Sequence, residues 1–146
     1  KQNTRRYRMT GYAIDASAVL AIIGAEPGSD YVLDRLTRCR ISAVNLAEVA
    51  SILSDRGASD FAVSETLNDL DIDCVPFDPR QALVSASLRR KTRTFGLSLG
   101  DRACLALAET GKLTALTADW IWTDAGRAAE VEVDVIPGRG DGESAR

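Results

Sequence analysis

Short apolar runs alternate along the chain with longer segments whose apolar positions recur every three or four residues. The short runs, bounded by turn residues, predict strands, and the recurring spacing predicts amphipathic helices. The predicted strands are 12–14, 40–43, 73–77, 114–117 and 131–136. The predicted helices are 16–23, 31–36 after a cap at Ser29 or Asp30, 45–55, 61–70, 79–93, 101–110 and a short one holding Trp120 and Trp122.

This alternation predicts an α/β fold, a three-layer α/β/α sandwich with a mostly parallel central sheet. The last strand alternates apolar and polar residues, which is typical of a strand at a sheet edge with one solvated face. A length of 146 residues suits one domain. We expect that domain at 9–136, with 1–8 as an N-terminal tail or a non-native remnant and 137–146 as a flexible C-terminal tail.

Four acidic residues stand where strands end or helices begin. Asp15 and Asp119 directly follow predicted strands, Glu48 lies just beyond another, and Asp101 begins a helix. In a parallel sheet the carboxyl ends of the strands meet at one edge, in the crevice where the strand order reverses. We therefore expect the four carboxylates to converge there.

Helix capping offers a simpler explanation for each acid alone. Ser98-x-x-Asp101 has the form of a capping box, Asn45-x-x-Glu48 resembles a capping pair, and Asp119 can cap a short helix. Capping does not explain why the helix starts on one edge of the sheet should carry an acid every time. The convergence hypothesis therefore stays open beside it.

The composition limits the chemistry available. The chain has no histidine, which excludes Ser-His-Asp and Cys-His catalysis, two-histidine ribonuclease chemistry and most zinc sites. Cys39, Cys74 and Cys104 are odd in number and widely spaced, so we interpret them as reduced, small hydrophobic residues. A net charge of −3 argues against coating nucleic acid through overall charge. No apolar run is long enough for a membrane span, and a cytoplasmic location is expected.

Converging carboxylates repel one another unless a cation lies between them. With oxygen ligands alone, Mg²⁺ or Mn²⁺ is the expected ion. Such ions commonly take substrate phosphate as a ligand, which indicates phosphodiester hydrolysis. Ser17 and Thr117, each beside one of the acids, can orient a carboxylate or a water, or can act as simple caps.

Four segments, taken in order, resemble the PIN domains, and within them the VapC-type toxins of bacterial toxin–antitoxin pairs. The resemblance covers nearly the whole core from Met9 to Ile136. The segments are Ile14–Ala18, Ser42–Val49, Gly96–Ala108 and Leu116–Asp119.

The resemblance implies a metal-dependent endoribonuclease that hydrolyses RNA with a metal-activated water and is neutralised by a cognate VapB-type antitoxin. A homodimer is also implied. By this analogy Asp15, Glu48, Asp101 and Asp119 are the catalytic acids and hold Mg²⁺ or Mn²⁺, with Ser17 and Thr117 in supporting roles. The family often has a basic residue soon after the fourth acid. Here Trp120-Ile121-Trp122 follows instead, which leaves Asp119 and nearby Asp124 as alternatives for that position.

The basic run near the end of the 79–93 helix has two interpretations. Its cations can steer RNA phosphates toward an acidic pocket that would otherwise repel them. They can also be a solvated helix end, favoured by the helix dipole. The residues are Arg89, Arg90, Lys91 and Arg93.

Two other functions are alternatives to a metal-dependent nuclease. A receiver or phosphotransferase with an aspartate nucleophile usually pairs acids after its first strand, but Asp15 has no acidic neighbour, and the last lysine is Lys112. A non-catalytic PIN-like binding module in a toxin–antitoxin repressor complex is the second alternative. Partner binding is expected to accompany catalysis, through the early helices around Leu33, Leu36 and Ile52.

Overall fold

The computed structural model describes residues 11–138, which form five strands and seven α-helices. Two 3₁₀ turns, Leu36–Arg38 and Arg93–Phe95, lie between elements. The strands are β1 (Tyr12–Ile14), β2 (Cys39–Ser42), β3 (Asp73–Val75), β4 (Thr114–Thr117) and β5 (Val133–Val135). The helices are α1 (Ala16–Ile23), α2 (Ser29–Leu33), α3 (Ala43–Asp55), α4 (Asp60–Leu70), α5 (Pro79–Lys91), α6 (Leu99–Gly111) and α7 (Trp122–Ala129).

The sheet is five-stranded, with the order β3-β2-β1-β4-β5 and parallel pairing throughout. β1 lies at the centre, with Ile14 opposite Leu116 of β4. The chain moves from β1 to one side through β2 and β3, and later returns to the other side through β4 and β5. The strand order therefore reverses between β1 and β4, which is where parallel sheets open a crevice at their carboxyl edge.

Helices cover both faces of the sheet, so the predicted three-layer sandwich is confirmed. Ile14 packs with α1–α4 on one face, whereas its neighbour Ala13 packs with α5–α7 on the other. This follows from the alternation of side chains along a strand. Both residues are fully buried, as expected for the central strand of a doubly covered sheet.

Several predicted boundaries and caps differ from the structure. α3 begins at Ala43, two residues earlier than predicted, because Ser42 is its N-cap and accepts a hydrogen bond from the Val44 N–H. Neither Ser29 nor Asp30 caps α2, since both lie inside the helix and Gly28 precedes it with φ +93°. β5 is only three residues long, because its pairing with β4 ends at Val135.

The cysteines are free in the structure, as predicted. Cys39 and Cys104 are buried, and Cys74 is exposed. None of the helices in the described part of the chain is long and apolar enough to cross a membrane. The predicted tail 1–8 and most of the predicted tail 137–146 lie outside the described residues.

A polar cluster attaches α2 to the edge strand β5. The Tyr31 hydroxyl donates to the Asp134 carboxylate at 2.7 and 2.8 Å, and the Arg35 guanidinium lies 3.4 Å from the Tyr31 ring centroid. Arg35 Nε is also 3.6 Å from an Asp134 oxygen. Burial, together with the bond to Asp134, raises the pKa of Tyr31 to about 12, so this hydroxyl remains a donor at neutral pH.

We predict that Tyr31→Phe lowers the free energy of unfolding by about 1–2 kcal/mol, because it removes a hydrogen bond to a charged acceptor and keeps the ring under Arg35. Urea unfolding at pH 7 measures this loss. Asp134→Asn should lower the free energy of unfolding by a similar amount, and the double variant should lower it by less than the sum of the two single losses. Glu132→Gln, an exposed acid just before the same strand, is the control and should change stability little. Full additivity of Tyr31→Phe and Asp134→Asn would contradict the coupling.

Candidate active site

Asp15 lies at the carboxyl end of β1, at the point where the strand order reverses. It is the N-cap of α1, and its Oδ1 accepts hydrogen bonds from the Ala18 N–H at 2.9 Å and the Ser17 hydroxyl at 2.7 Å. Its Oδ2 accepts from the Thr117 hydroxyl, on the neighbouring strand β4, at 2.6 Å. The carboxylate is therefore held between the central strand pair and the start of a helix.

The hydroxyls of Ser17 and Thr117 also bind the backbone that follows β4. Ser17 Oγ accepts from the Ala118 N–H at 2.9 Å, and Thr117 Oγ1 accepts from the Asp119 N–H at 3.1 Å. Thr117 is fully buried and Ser17 is partly buried. Both hydroxyls thus orient Asp15 and fix the loop that carries Asp119.

Burial raises the pKa of the Asp15 carboxyl from 3.8 to about 6. Desolvation is the main cause, and repulsion from the Asp101 carboxylate adds to it. The hydrogen bonds from Thr117, Ala18 and Ser17 act in the opposite direction, but they carry no full positive charge and offset the effect only in part. Asp15 is only 5% exposed, so its charge is costly without a cation.

Glu48 reaches the same region from the second turn of α3. Asn45 is 1% exposed, and its Nδ2 donates to Glu48 Oε1 at 2.8 Å and to the Gly100 carbonyl oxygen at 3.0 Å. A Cβ at position 100 would overlap the Glu48 carboxyl group. Glycine at this position is therefore what allows Glu48 to lie against the start of α6.

Asp101 is the third residue of α6 and half of a complete capping box. Its backbone N–H donates to Ser98 Oγ at 3.1 Å, and its Oδ2 accepts from the Ser98 N–H at 3.0 Å. The predicted capping box is confirmed. The cap fixes the carboxylate beside Gly100, so capping and proximity to Glu48 occur together.

The buried thiol of Cys104 lies within electrostatic reach of three acids. Its pKa is raised well above the ordinary value, first by burial and then by the charges of Asp15, Asp101 and Glu48. Cys104 lies one turn below Asp101 on α6, and its Sγ donates to the Ala13 carbonyl oxygen at 3.4 Å. Asp15, Glu48 and Asp101 therefore lie in the same region of the structure, near Cys104.

Asp119 stands apart from this group. It is exposed, and its Oδ1 accepts from the Ile121 N–H at 3.1 Å, which caps the turn before α7. Its link to Asp15 runs through Thr117 Oγ1, which binds the Asp119 N–H and the Asp15 carboxylate. Asp124, the alternative fourth acid, lies on the exposed face of α7 and pairs with Arg127 at 3.3 Å.

The donor chemistry of this group fits a hard divalent cation. Asp15, Glu48 and Asp101 offer only oxygen ligands, and the buried Asn45 Oδ1 has no hydrogen-bond partner. Among residues 11–138, no three Cys, Asp or Glu side chains lie close enough to enclose an ion by themselves. Mg²⁺ does not require this, since it usually keeps several waters and takes one or two carboxylates plus substrate phosphate.

Two of the four basic residues predicted to bind RNA line a common cavity. Arg89, Arg90 and Lys91 are exposed in the last turn of α5, and Arg93 is exposed in the following 3₁₀ turn. Arg89 and Arg93 line a cavity beside the start of α6, whereas Arg90 and Lys91 are not among its lining residues. The run of basic residues is thus divided by the helical geometry.

Asn45 and Gly100 are the site residues that the sequence did not single out for a role. Asn45 resembles a helix cap in the sequence, but Ser42 is the cap and Asn45 is a buried donor to Glu48. Gly100 precedes Asp101 in a helix, where glycine is an unfavourable choice of roughly 1 kcal/mol. The predicted helix begins at Asp101, so Gly100 stands outside it and the sequence carries no signal for this close approach.

Comparison with known proteins identifies the family. The sequence model of the PIN-domain family matches residues 12–128. Ribonuclease VapC42 of Mycobacterium tuberculosis is 31% identical over 102 residues, which cover 66% of this chain and 76% of that protein. A VapC ribonuclease of Mycobacterium bovis matches with the same values.

Solved structures share the fold. VapBC2 from Rickettsia felis, bound to a promoter DNA fragment, has a TM-score of 0.67 at 15% identity and covers 85% of this chain and 97% of that one. VapBC-5 from Mycobacterium tuberculosis has a TM-score of 0.62 at 23% identity and covers 88% and 100%. The resemblance stated from the sequence is confirmed, and the chain belongs to the PIN-domain family.

Proposed function

We propose that this protein is a divalent-metal-dependent endoribonuclease toxin of the VapC type, held inactive by a cognate antitoxin. The observation that carries the proposal is the desolvated Asp15 carboxylate at the reversal of strand order, with Asp101 and Glu48 beside it. Relatives named as ribonucleases, and structural neighbours crystallised as toxin–antitoxin complexes, support it. A homodimer is part of the proposal.

Asp15, Asp101 and Glu48 would hold Mg²⁺ or Mn²⁺, and Asp119 would contribute from the edge of the site. When bound, such a cation polarises a phosphodiester and lowers the pKa of a water. The protein's own groups supply the rest. Ser17 and Thr117 fix the Asp15 oxygens, Asn45 fixes one Glu48 oxygen, and the chain has no imidazole to take a proton from a ribose 2′-hydroxyl.

Asp101→Asn tests the proposal directly. We predict that the wild-type protein cuts total cellular RNA at discrete positions with Mg²⁺ or Mn²⁺, and that EDTA abolishes cutting. The variant should lose at least about 100-fold in rate, because weakening cation binding removes several kcal/mol of stabilisation. Asparagine retains the acceptor for the Ser98 N–H, so the helix start should remain intact.

The control is Glu109→Gln, which removes an exposed acid from the same helix, α6, and should leave cutting unchanged. Mapping the ends gives a second test, since hydrolysis by water predicts 5′-phosphate and 3′-hydroxyl products. Cyclic phosphate ends would contradict that mechanism. No cutting by folded, antitoxin-free protein would favour a binding module.

Asp15→Asn gives a test based on pH. In the metal-free protein the folded-state pKa of about 6 exceeds the ordinary 3.8, so protonation favours folding and ionisation disfavours it. Stability contributed by the protonated group is lost as the pH rises from about 4 through 6. We predict that Asp15→Asn raises the Tm of metal-free protein at pH 7.5 and raises it much less at pH 5.

With Mg²⁺ or Mn²⁺ at pH 7.5, the wild-type protein should have the higher Tm of the two, because the cation stabilises wild-type protein and not the variant. Differential scanning calorimetry at both pH values, with EDTA or with metal, measures all four cases. An equal gain at pH 5 and pH 7.5 would contradict the assignment of the raised pKa to Asp15.

Gly100→Ala should separate activity from stability. The added Cβ displaces the Glu48 carboxyl group, so we predict at least about a tenfold loss in cutting, or roughly 1.4 kcal/mol in the barrier. The higher helix propensity of alanine should offset part of the local crowding in stability. Gly111→Ala at the other end of α6 meets only the flexible Leu113 side chain and is the matched control. Full activity of Gly100→Ala would show that the position of Glu48 is unimportant.

A further inference from the structure

A cavity of about 390 Å³ opens beside the first turn of α6, on the side of the α5 end. Three arginines line it: Arg89 from the last turn of α5, Arg93 from the 3₁₀ turn and Arg102 from α6. No Asp or Glu is among its lining residues. In a protein with a net charge of −3, this is a strongly cationic depression.

The three guanidinium groups have charge available for a ligand. Within residues 11–138, none of the three forms an ion pair with an acid. Arg102 is oriented by the Ser85 carbonyl oxygen, which accepts from its Nη1 at 3.3 Å, and its Nε is buried without a hydrogen-bond partner. A buried N–H donor without an acceptor is uncommon and favours an external acceptor.

The start of α6 adds to the positive potential. Ser98 and Leu99 line the cavity, and α6 is 13 residues long, so its amino end carries the positive end of the helix dipole. The capping box satisfies the N–H groups of Ser98 and Asp101. Guanidinium groups together with a helix amino end match the geometry and charge of a phosphate.

The cavity also adjoins the acidic site. Ser98 lines the cavity and donates its N–H to Asp101, which belongs to the acidic group. The first turn of α6 therefore borders both the arginine-lined cavity and the acidic group. An RNA strand crossing this turn would meet the acids and the arginines in succession.

We propose that this cavity binds a backbone phosphate of the RNA substrate, close along the strand to the phosphate that is cut. The inference rests on the proposed function and names a contact within it. Arg89, Arg93 and Arg102 are the phosphate ligands, and Arg90 and Lys91 are surface charges outside the cavity.

The first test measures binding of an unstructured 12-nucleotide oligouridylate in EDTA, by fluorescence anisotropy over a range of salt concentrations. Arg89→Gln/Arg93→Gln should weaken binding about tenfold and reduce the slope of log K against log salt by about 0.7, the value for one phosphate on a single strand. Arg80→Gln/Arg90→Gln is the matched control, since it removes the same charge from exposed positions on α5. It should weaken binding about twofold or less, because diffuse surface charges outside the cavity are screened by salt.

The second test locates the phosphate. In an RNA that the wild-type protein cuts, each linkage near the cut is replaced in turn by a neutral methylphosphonate. At one position, the methylphosphonate should weaken RNA binding by the wild-type protein. The same replacement should not weaken RNA binding by the Arg89→Gln/Arg93→Gln variant any further. Both variants should retain the wild-type Tm, since all four substituted side chains are exposed.

Equal RNA affinity and equal salt slope for the cavity variant and the control would overturn the proposal. So would unchanged RNA binding with a tenfold loss of antitoxin binding, which would assign the cavity to an acidic protein segment. These outcomes are distinct from failure of the proposed function, because binding in EDTA requires no cutting. Wild-type protein that binds RNA through the cavity but never cuts would refute the nuclease alone.

Discussion

The structure depends on one buried carboxylate that has no positive partner among the residues described. Asp15 ends the central strand, caps α1 and binds the hydroxyl of Thr117 on the neighbouring strand. These contacts join β1 to β4, the two strands between which the strand order of the sheet reverses. They also desolvate a charge, which is why the pKa of Asp15 is raised. A desolvated carboxylate gains more from a bound cation than an exposed one, so the raised pKa of Asp15 and its proposed role have the same cause.

Capping and function are not competing explanations in this fold. A capping acid lies at a helix amino end, and the helices that follow β1 and precede β4 begin near the carboxyl edge of the sheet. Asp101 satisfies the first turn of α6 and, through the same bond to Ser98, is fixed beside Gly100 and Glu48. The local hydrogen bond thus provides the preorganisation that a binding site requires. This explains why the sequence signal for each acid, taken alone, is that of an ordinary cap.

Local sequence predicts what local forces decide. Tyr12–Ile14, Asp15 and the helix that follows are predicted correctly because an apolar run, a cap and helical spacing coincide there. The sequence favours a cap at Asn45, because it does not show that α3 already begins after Ser42. The contact of Glu48 with Gly100 joins residues 52 positions apart in the chain, and only the packing of α3 against α6 creates it. Such tertiary contacts have no periodicity from which to predict them.

The charge distribution around α6 resolves a difficulty that composition alone raises. A net charge of −3 and a group of acids disfavour the approach of RNA, yet the proposed substrate is a polyanion. Arg89 and Arg93 join Arg102 in lining one cavity, whereas Arg90 is not among its lining residues. Three cations at one position contribute more to phosphate binding than the same charges spread over a surface, because bidentate guanidinium contacts are directional and partly desolvated. Local arrangement, and not overall charge, then decides whether an acidic protein of this fold holds RNA, and the first turn of α6 is where both kinds of charge meet.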